Sequence, residues 1–107
     1  MIALLILMTT TGCSSINGKN DFIVSINQIK DAANASDWVA LEKLGKEIRT
    51  QYHNNKWKIQ LIGDEGEYEG LEEYINQLVT AIELQSKEET KLALAGIQTL
   101  IEDIYSL

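Results

Sequence analysis

The chain offers few side chains for catalytic or metal chemistry. It contains one cysteine, Cys13, and one histidine, His53. The sequence neighbours of His53, Tyr52 and Asn54, do not provide the base and orienting group that activate a nucleophile. A single imidazole cannot complete a tetrahedral zinc shell with one thiol. The sequence therefore predicts neither an enzyme nor a transition-metal site, and it indicates no cofactor.

An acidic stretch, residues 64–73, is the densest group of candidate ligands. Its carboxylates are Asp64, Glu65, Glu67, Glu69, Glu72 and Glu73. Glu65, Glu67 and Glu69 have the spacing of the first three ligands of an EF-hand loop, with Gly70 at its glycine position. Asn76, at the twelfth position, lacks the bidentate carboxylate of such loops. The three glutamates are thus a weak candidate ion site.

The acidic stretch has a second interpretation as a solvated helix start, where the helix dipole favours negative charge. The preceding segment is locally basic, with Lys43, Lys46, Arg49, Lys56 and Lys58. An antiparallel neighbour rich in glutamate would complement that segment. Exposed ion pairs of this kind contribute only about 0–1 kcal/mol each.

Length and charge narrow the class of protein. The chain has 107 residues and a net charge of −7, which suits a single domain. A nucleic-acid role is disfavoured because phosphate binding needs a basic face. One cysteine excludes an internal disulfide. Proline is absent and leucine and isoleucine dominate the apolar residues, a composition that favours helices.

The N-terminus carries a targeting pattern. Residues 2–8 are an unbroken apolar run, which is too short to span a bilayer and has the length of a signal-peptide core. Gly12 and Cys13 follow it and resemble the lipobox of bacterial lipoproteins. The resemblance implies a signal peptide over residues 1–12, a diacylglycerol on the Cys13 thiol, and a membrane location on the extracytoplasmic face. The alternative is an apolar N-terminus with an ordinary buried cysteine.

Helical periodicity predicts four helices after a polar tether at residues 13–20. The first covers residues 21–34, with a seam of Phe22, Ile26, Ile29 and Ala33. The second covers residues 36–62, begins at an N-cap Ser36, and is weakest at residues 53–55. The third begins between residues 64 and 70 and runs to about residue 85. The fourth begins at Lys87, after a capping box formed by Ser86 and Glu89.

These four helices predict an all-α fold, an up-and-down antiparallel bundle of three long helices and a shorter N-terminal one, over residues 21–107. Short connections favour antiparallel neighbours. The apolar stripes then serve the core first, because a small domain needs nearly all of its apolar area to offset chain entropy.

The two tryptophans lie on the second helix but on different faces. At about 100° per residue, Trp38 shares a broad face with Leu41, whereas Trp57 and Leu61 lie nearly opposite. We expect both tryptophans to be largely buried, Trp57 less so, because the helix breaks at residues 53–55 or because residues 21–34 cover the second face. The alternative is an exposed pair, Trp57 and Leu61, that forms a candidate partner contact.

From residue 37 onward the sequence resembles a family of small bacterial proteins of unknown function, designated DUF4363. The similar features are Asp37-Trp38 at a helix start, Lys56-Trp57-Lys58 later in that helix, and an acidic turn followed by two amphipathic helices. The resemblance implies an all-helical extracytoplasmic protein with an N-terminal anchor. It implies no activity.

The sequence as a whole predicts a membrane-anchored lipoprotein that acts as a non-enzymatic protein-interaction module at the cell envelope. Its expected partners are the membrane, through the lipid on Cys13, and another envelope protein. The rival hypothesis is a ligand- or ion-binding lipoprotein that uses residues 64–73.

Overall fold

The computed structural model describes residues 18–106, which form four α-helices and no strand. They are α1 (Gly18–Asn34), α2 (Trp38–Ile62), α3 (Glu65–Glu83) and α4 (Lys87–Ile104). Helix α1 packs against α2 and α4, and α3 packs against the same two helices. The connections are two or three residues long, so successive helices run antiparallel. The prediction of an all-α bundle is confirmed.

The core is built from the predicted stripes. Each helix contributes one row of buried aliphatic or aromatic side chains, which meet along the bundle axis. The fully buried large residues are Tyr52, Phe22, Ile26, Ile29, Leu41, Ile48, Ile59, Leu71, Ile75, Leu78, Ile97 and Ile101. The periodicity of each helix therefore identified the side that faces the core.

Helix α1 begins earlier than predicted. Gly18 to Asn20 are helical, although the sequence placed them in the polar tether. A Cβ atom built on Gly18 would lie 3.0 Å from the hydroxyl of Tyr105, just beyond the end of α4. The first turn of α1 therefore packs against the bundle, which explains why it is ordered as helix.

The predicted N-cap of α2 is wrong by one residue. Asp37, not Ser36, caps the helix, and its carboxylate accepts a hydrogen bond from the Ala40 amide at 3.1 Å. Ser36 has φ 53° and closes α1 with bonds from Ser36 N to Ala33 O and from Asp37 N to Ala32 O. That pattern is a Schellman turn at the end of α1. Ser36, the residue before the N-cap of α2, adopts its left-handed conformation.

The turn between α3 and α4 has the same geometry. Gln85 has φ 53°, its amide donates to Ile82 O, and the Ser86 amide donates to Ala81 O. The predicted N-cap at Ser86 is confirmed, since its hydroxyl accepts from the Glu89 amide at 3.3 Å. The predicted capping box is not completed, because the Ser86 amide bonds Ala81 O in place of the Glu89 carboxylate. The α1–α2 and α3–α4 turns thus have the same geometry and lie at the same end of the bundle. In both turns a residue other than glycine occupies the left-handed position.

Helix α3 begins with a full capping box. The Asp64 carboxylate accepts from the Glu67 amide at 2.9 Å, and the Asp64 amide donates to the Glu67 carboxylate at 3.0 Å. These two bonds satisfy donors that the first turn would otherwise leave unpaired. The helix therefore begins at Glu65, at the start of the acidic stretch.

Candidate functional site

Cys13, the predicted lipidation site, lies outside the described residues 18–106, as does the predicted signal peptide at residues 1–12. Both stay predictions. Within the described part of the chain, no helix has the length and apolar character needed to cross a membrane.

The structure corrects the expectation that Trp57 is largely buried. Helix α2 is continuous from Trp38 to Ile62, and 61% of the Trp57 surface and 75% of the Leu61 surface are exposed. Trp38 is partly buried against the core. The two exposed side chains are one turn apart on the solvent face of α2, and they form what we call the Trp57–Leu61 patch.

The exposure of Trp57 follows from the helix phase. Tyr52 and Ile59 are both buried, and a separation of seven residues keeps them on one face at about 100° per residue. Trp57 comes five residues after Tyr52, which rotates it by about 140° away from that face. An unbroken helix with Tyr52 and Ile59 in the core must therefore present Trp57 to solvent.

The helix does not break at residues 53–55, although these are mediocre helix formers. The Asn55 side chain donates to the Gln51 carbonyl at 2.8 Å, and the Tyr52 hydroxyl donates to the Tyr68 carbonyl at 3.2 Å. The first bond keeps the polar side chain on its own helix. The second ties α2 to α3 at this level, so tertiary contact overrides weak local propensity.

Next to the Trp57–Leu61 patch lies a lysine. The Lys58 ammonium is 5.5 Å from the Trp57 ring centroid, within the range of a cation–π contact. The patch is therefore an apolar and aromatic surface with a positive charge at its edge.

The acidic stretch does not form an ion-binding loop. Glu65, Glu67 and Glu69 lie in the first turns of α3, where each successive member is rotated by about 200°. Glu67 is also occupied in the capping box. Across residues 18–106, no three or more His, Cys, Asp or Glu side chains come together to hold a metal ion. The weak candidate ion site is thus not assembled by the fold.

The predicted charge complementarity between α2 and α3 appears as one ion pair. Lys56 lies 3.6 Å from the Glu72 carboxylate of α3, and both side chains are more than a third exposed. Lys46 instead pairs with Glu42 of its own helix at 3.4 Å. Such exposed pairs contribute about 0–1 kcal/mol each. Charge complementarity therefore adds little to the stability of the packing between α2 and α3.

His53 does not have the surroundings of a catalytic base. It is exposed, and its ring lies edge-on to Tyr52 with the ring centroids 5.6 Å apart. Tyr52 is itself buried with its hydroxyl on a backbone carbonyl. The one imidazole thus lacks a nucleophile beside it among the described residues.

An open apolar groove between α3 and α4 was not predicted. It has a volume of about 770 Å³ and is lined by Tyr74 and Leu84 on one side and Leu92 on the other. Leu84 is 74% exposed and Leu92 is 60% exposed. Glu73 and Glu89 also line it, which makes its rim acidic. We call this feature the α3–α4 groove.

Gly96 shapes one end of the α3–α4 groove. A Cβ atom at this position would lie 2.7 Å from three carbons of the Tyr74 ring, closer than nonbonded carbons approach. Only glycine therefore lets the Tyr74 ring lie against α4. In the sequence, Gly96 is the one signal that points to a close approach of a neighbouring ring, but it does not reveal which ring.

Comparisons of the chain with protein-family models, with curated proteins and with solved structures found no match. The resemblance to DUF4363 therefore stays a prediction, based on the sequence features given above.

We expect calcium to leave the stability of the protein unchanged. Ligands that bind only the native state raise its melting temperature, but the glutamates at the start of α3 do not converge. Thermal unfolding in millimolar calcium chloride should match unfolding in potassium chloride of equal ionic strength. A calcium-specific rise that disappears in the Glu65→Gln, Glu67→Gln double variant would instead establish the ion-binding hypothesis.

Proposed function

We propose that this protein is a membrane-anchored lipoprotein of the bacterial cell envelope that acts as a non-enzymatic protein-interaction module. The anchor is proposed from Gly12-Cys13 after the apolar run at residues 2–8. The observation that carries the interaction role is the α3–α4 groove, where Leu84 and Leu92 leave most of their surface in solvent. A concave groove that is lined mainly by apolar atoms can serve as a binding site.

The chemistry of the groove indicates the kind of partner. Two antiparallel helices with apolar side chains between them can accept the apolar face of an amphipathic helix. Glu73 and Glu89 line the same groove, so Lys or Arg beside that apolar face would be favoured and acidic residues disfavoured. The proposed partner segment is therefore an amphipathic helix with basic flanks, presented by another envelope protein.

The anchor has a direct test. In cells fed a clickable fatty acid, the wild-type protein should be labelled and should fractionate with membranes, because two or more acyl chains hold a protein stably on a bilayer. Cys13→Ala removes the only thiol and should abolish both the label and processing of the N-terminus. Label that persists on Cys13→Ala would refute the lipoprotein assignment.

The groove is tested by crosslinking in membranes followed by purification of the protein with its crosslinked neighbours. Leu92→Asp places a charge in the groove next to its acidic rim and should remove the crosslinked partner. Val24→Asp is the matched control, because Val24 is 55% exposed on α1, on another helix from those that line the groove. The interaction role fails if Leu92→Asp and Val24→Asp retain the same partner.

A further inference from the structure

The Trp57–Leu61 patch lies at the end of the bundle where α1 begins. Gly18, the first described residue, packs beside α2: a Cβ atom on it would lie 3.7 Å from the Asn55 side-chain oxygen. Trp57 and Leu61 follow Asn55 along α2. At 1.5 Å per residue, Leu61 lies about 9 Å beyond Asn55, in the direction away from the α1–α2 turn.

The chain between Gly18 and the proposed lipid attachment is short. Only residues 14–17 separate Cys13 from Gly18. Five steps of fully extended chain span at most roughly 18 Å. A lipid on Cys13 would therefore keep the Gly18 end of the bundle within that distance of the bilayer surface. Since Trp57 and Leu61 lie at this end of the bundle, their side chains are close enough to the bilayer to contact it.

The side chains of the patch suit a lipid headgroup region. Tryptophan is enriched at membrane–water interfaces because its ring is apolar and its N–H is polar. Leu61 adds an aliphatic side chain that is 75% exposed. Lys58, 5.5 Å from the Trp57 ring centroid, has a stem long enough to keep its ammonium among the headgroups.

We propose that the Trp57–Leu61 patch contacts the lipid bilayer interface and serves as a second membrane contact beside the lipid on Cys13. The inference rests on the proposed lipid anchor. It orients the bundle with the α1–α2 and α3–α4 turns away from the membrane. The Leu84 end of the α3–α4 groove then faces the space in which another envelope protein can reach it.

Charge limits the kind of lipid that favours this contact. The start of α3, with Asp64, Glu65 and Glu67, follows the end of α2 after Gly63 and places negative charge at the same end of the bundle. These carboxylates repel anionic headgroups and offset the attraction of Lys58 for them. The contact is therefore apolar and aromatic in origin, and zwitterionic phosphatidylcholine is the appropriate test surface.

The two tryptophans of the chain provide a matched pair of probes. Trp38 and Trp57 are on the same helix, and 19 positions at 1.5 Å place them about 28 Å apart. In Trp38→Phe only Trp57 emits, and in Trp57→Phe only Trp38 emits. The full-length chain can be coupled through Cys13, its only cysteine, to phosphatidylcholine vesicles that contain a maleimide-headgroup lipid. Coupling imposes the anchor whether or not cells attach a lipid.

With nitroxide-labelled phosphatidylcholine in the vesicles, we expect coupled Trp38→Phe to lose much of its emission and to shift to the blue. Coupled Trp57→Phe should change little. Adding Leu61→Asp to Trp38→Phe should reduce the quenching by lipid. Equal quenching of the two probes, or none at Trp57, would overturn the membrane contact. Absence of fatty-acid label on Cys13 in cells would instead refute the proposed anchor, and the coupled vesicles distinguish these two failures.

A protein partner at the same patch would give a different result. Trp57 would then stay unquenched by lipid on coupled vesicles, and Trp57→Ala would lose the crosslinked neighbour in native membranes. That combination would assign the patch to a protein and overturn the membrane contact.

Discussion

Replacing Phe22 by alanine should lower the free energy of unfolding by about 3–5 kcal/mol. Phe22 is fully buried in α1, and its ring centroid lies 6.5 Å from that of Tyr105. Helix α1 closes the bundle by packing against both α2 and α4. Removing the ring leaves a cavity where these three helices meet, and the cost of such a cavity adds to the lost transfer free energy.

The control for this experiment is Val24→Ala on the same helix. Val24 is mostly exposed, so its truncation should change stability by no more than about 0.5 kcal/mol. Urea unfolding followed by circular dichroism measures both variants. If Phe22→Ala unfolds like Val24→Ala, then α1 does not belong to the cooperative core, and the bundle in solution consists of α2, α3 and α4.

The inward faces of the helices could be read from the sequence because burial in a helical bundle repeats with the helix period. Phe22, Ile26, Ile29 and Ala33 were predicted as a seam, and all four are buried. Ile97, Ile101 and Ile104 in α4 follow the same three- and four-residue spacing, and they are buried as well. This information is local, since a stripe at three- and four-residue spacing needs only one unbroken helix to bury it.

Helix boundaries were less predictable because neighbouring residues compete for the same role. Ser36 and Asp37 are both good N-cap residues, and the sequence does not show which one takes the left-handed position of the preceding turn. The structure gives that position to Ser36. Asp64 and Glu67 have the three-residue spacing of a capping box, and the structure forms it. The glycines at positions 63, 66 and 70 disfavour helix, so the sequence left the start of α3 undecided between residues 64 and 70.

The exposed surfaces depend on three-dimensional information that the sequence does not contain. Trp57 was expected to be largely buried because a small domain needs nearly all of its apolar area, yet the other stripes fill the core and the phase of α2 directs Trp57 to solvent. Leu84 and Leu92 are eight positions apart in the sequence. They become one groove only because α3 and α4 pack side by side, with Gly96 allowing Tyr74 to approach.

Stability should fall as the pH rises from about 10 to about 12, because Tyr52 holds its proton in the folded protein. Burial raises the pKa of Tyr52 to about 12, and the carboxylates of Glu72 and Glu69 add to the effect. Its hydroxyl donates to the Tyr68 carbonyl, which only the neutral phenol can do. Burial, followed by the negative charge of Asp21, also raises the pKa of Tyr105.

The direction follows from proton linkage. Below pH 10 the phenol of Tyr52 is protonated in both states, so it adds no pH dependence. Between pH 10 and about 12 the unfolded chain releases this proton and the folded protein keeps it, which favours unfolding as pH rises. The free energy of unfolding should thus fall by roughly 2–3 kcal/mol across this window.

Tyr52→Phe separates the two contributions of this side chain. At neutral pH the variant should be less stable by about 0.5–1.5 kcal/mol, because the hydrogen bond to Tyr68 is lost and its carbonyl loses a donor. Without a phenol at position 52, its stability should then fall less steeply with pH than that of the wild type. The free energy of unfolding, measured by chemical unfolding across the alkaline range, should therefore give one curve for the wild type and one for Tyr52→Phe. The two curves should converge and cross before pH 12. Curves that remain parallel would show that the proton on Tyr52 does not control alkaline unfolding; the remaining slope of the variant is expected from Tyr105.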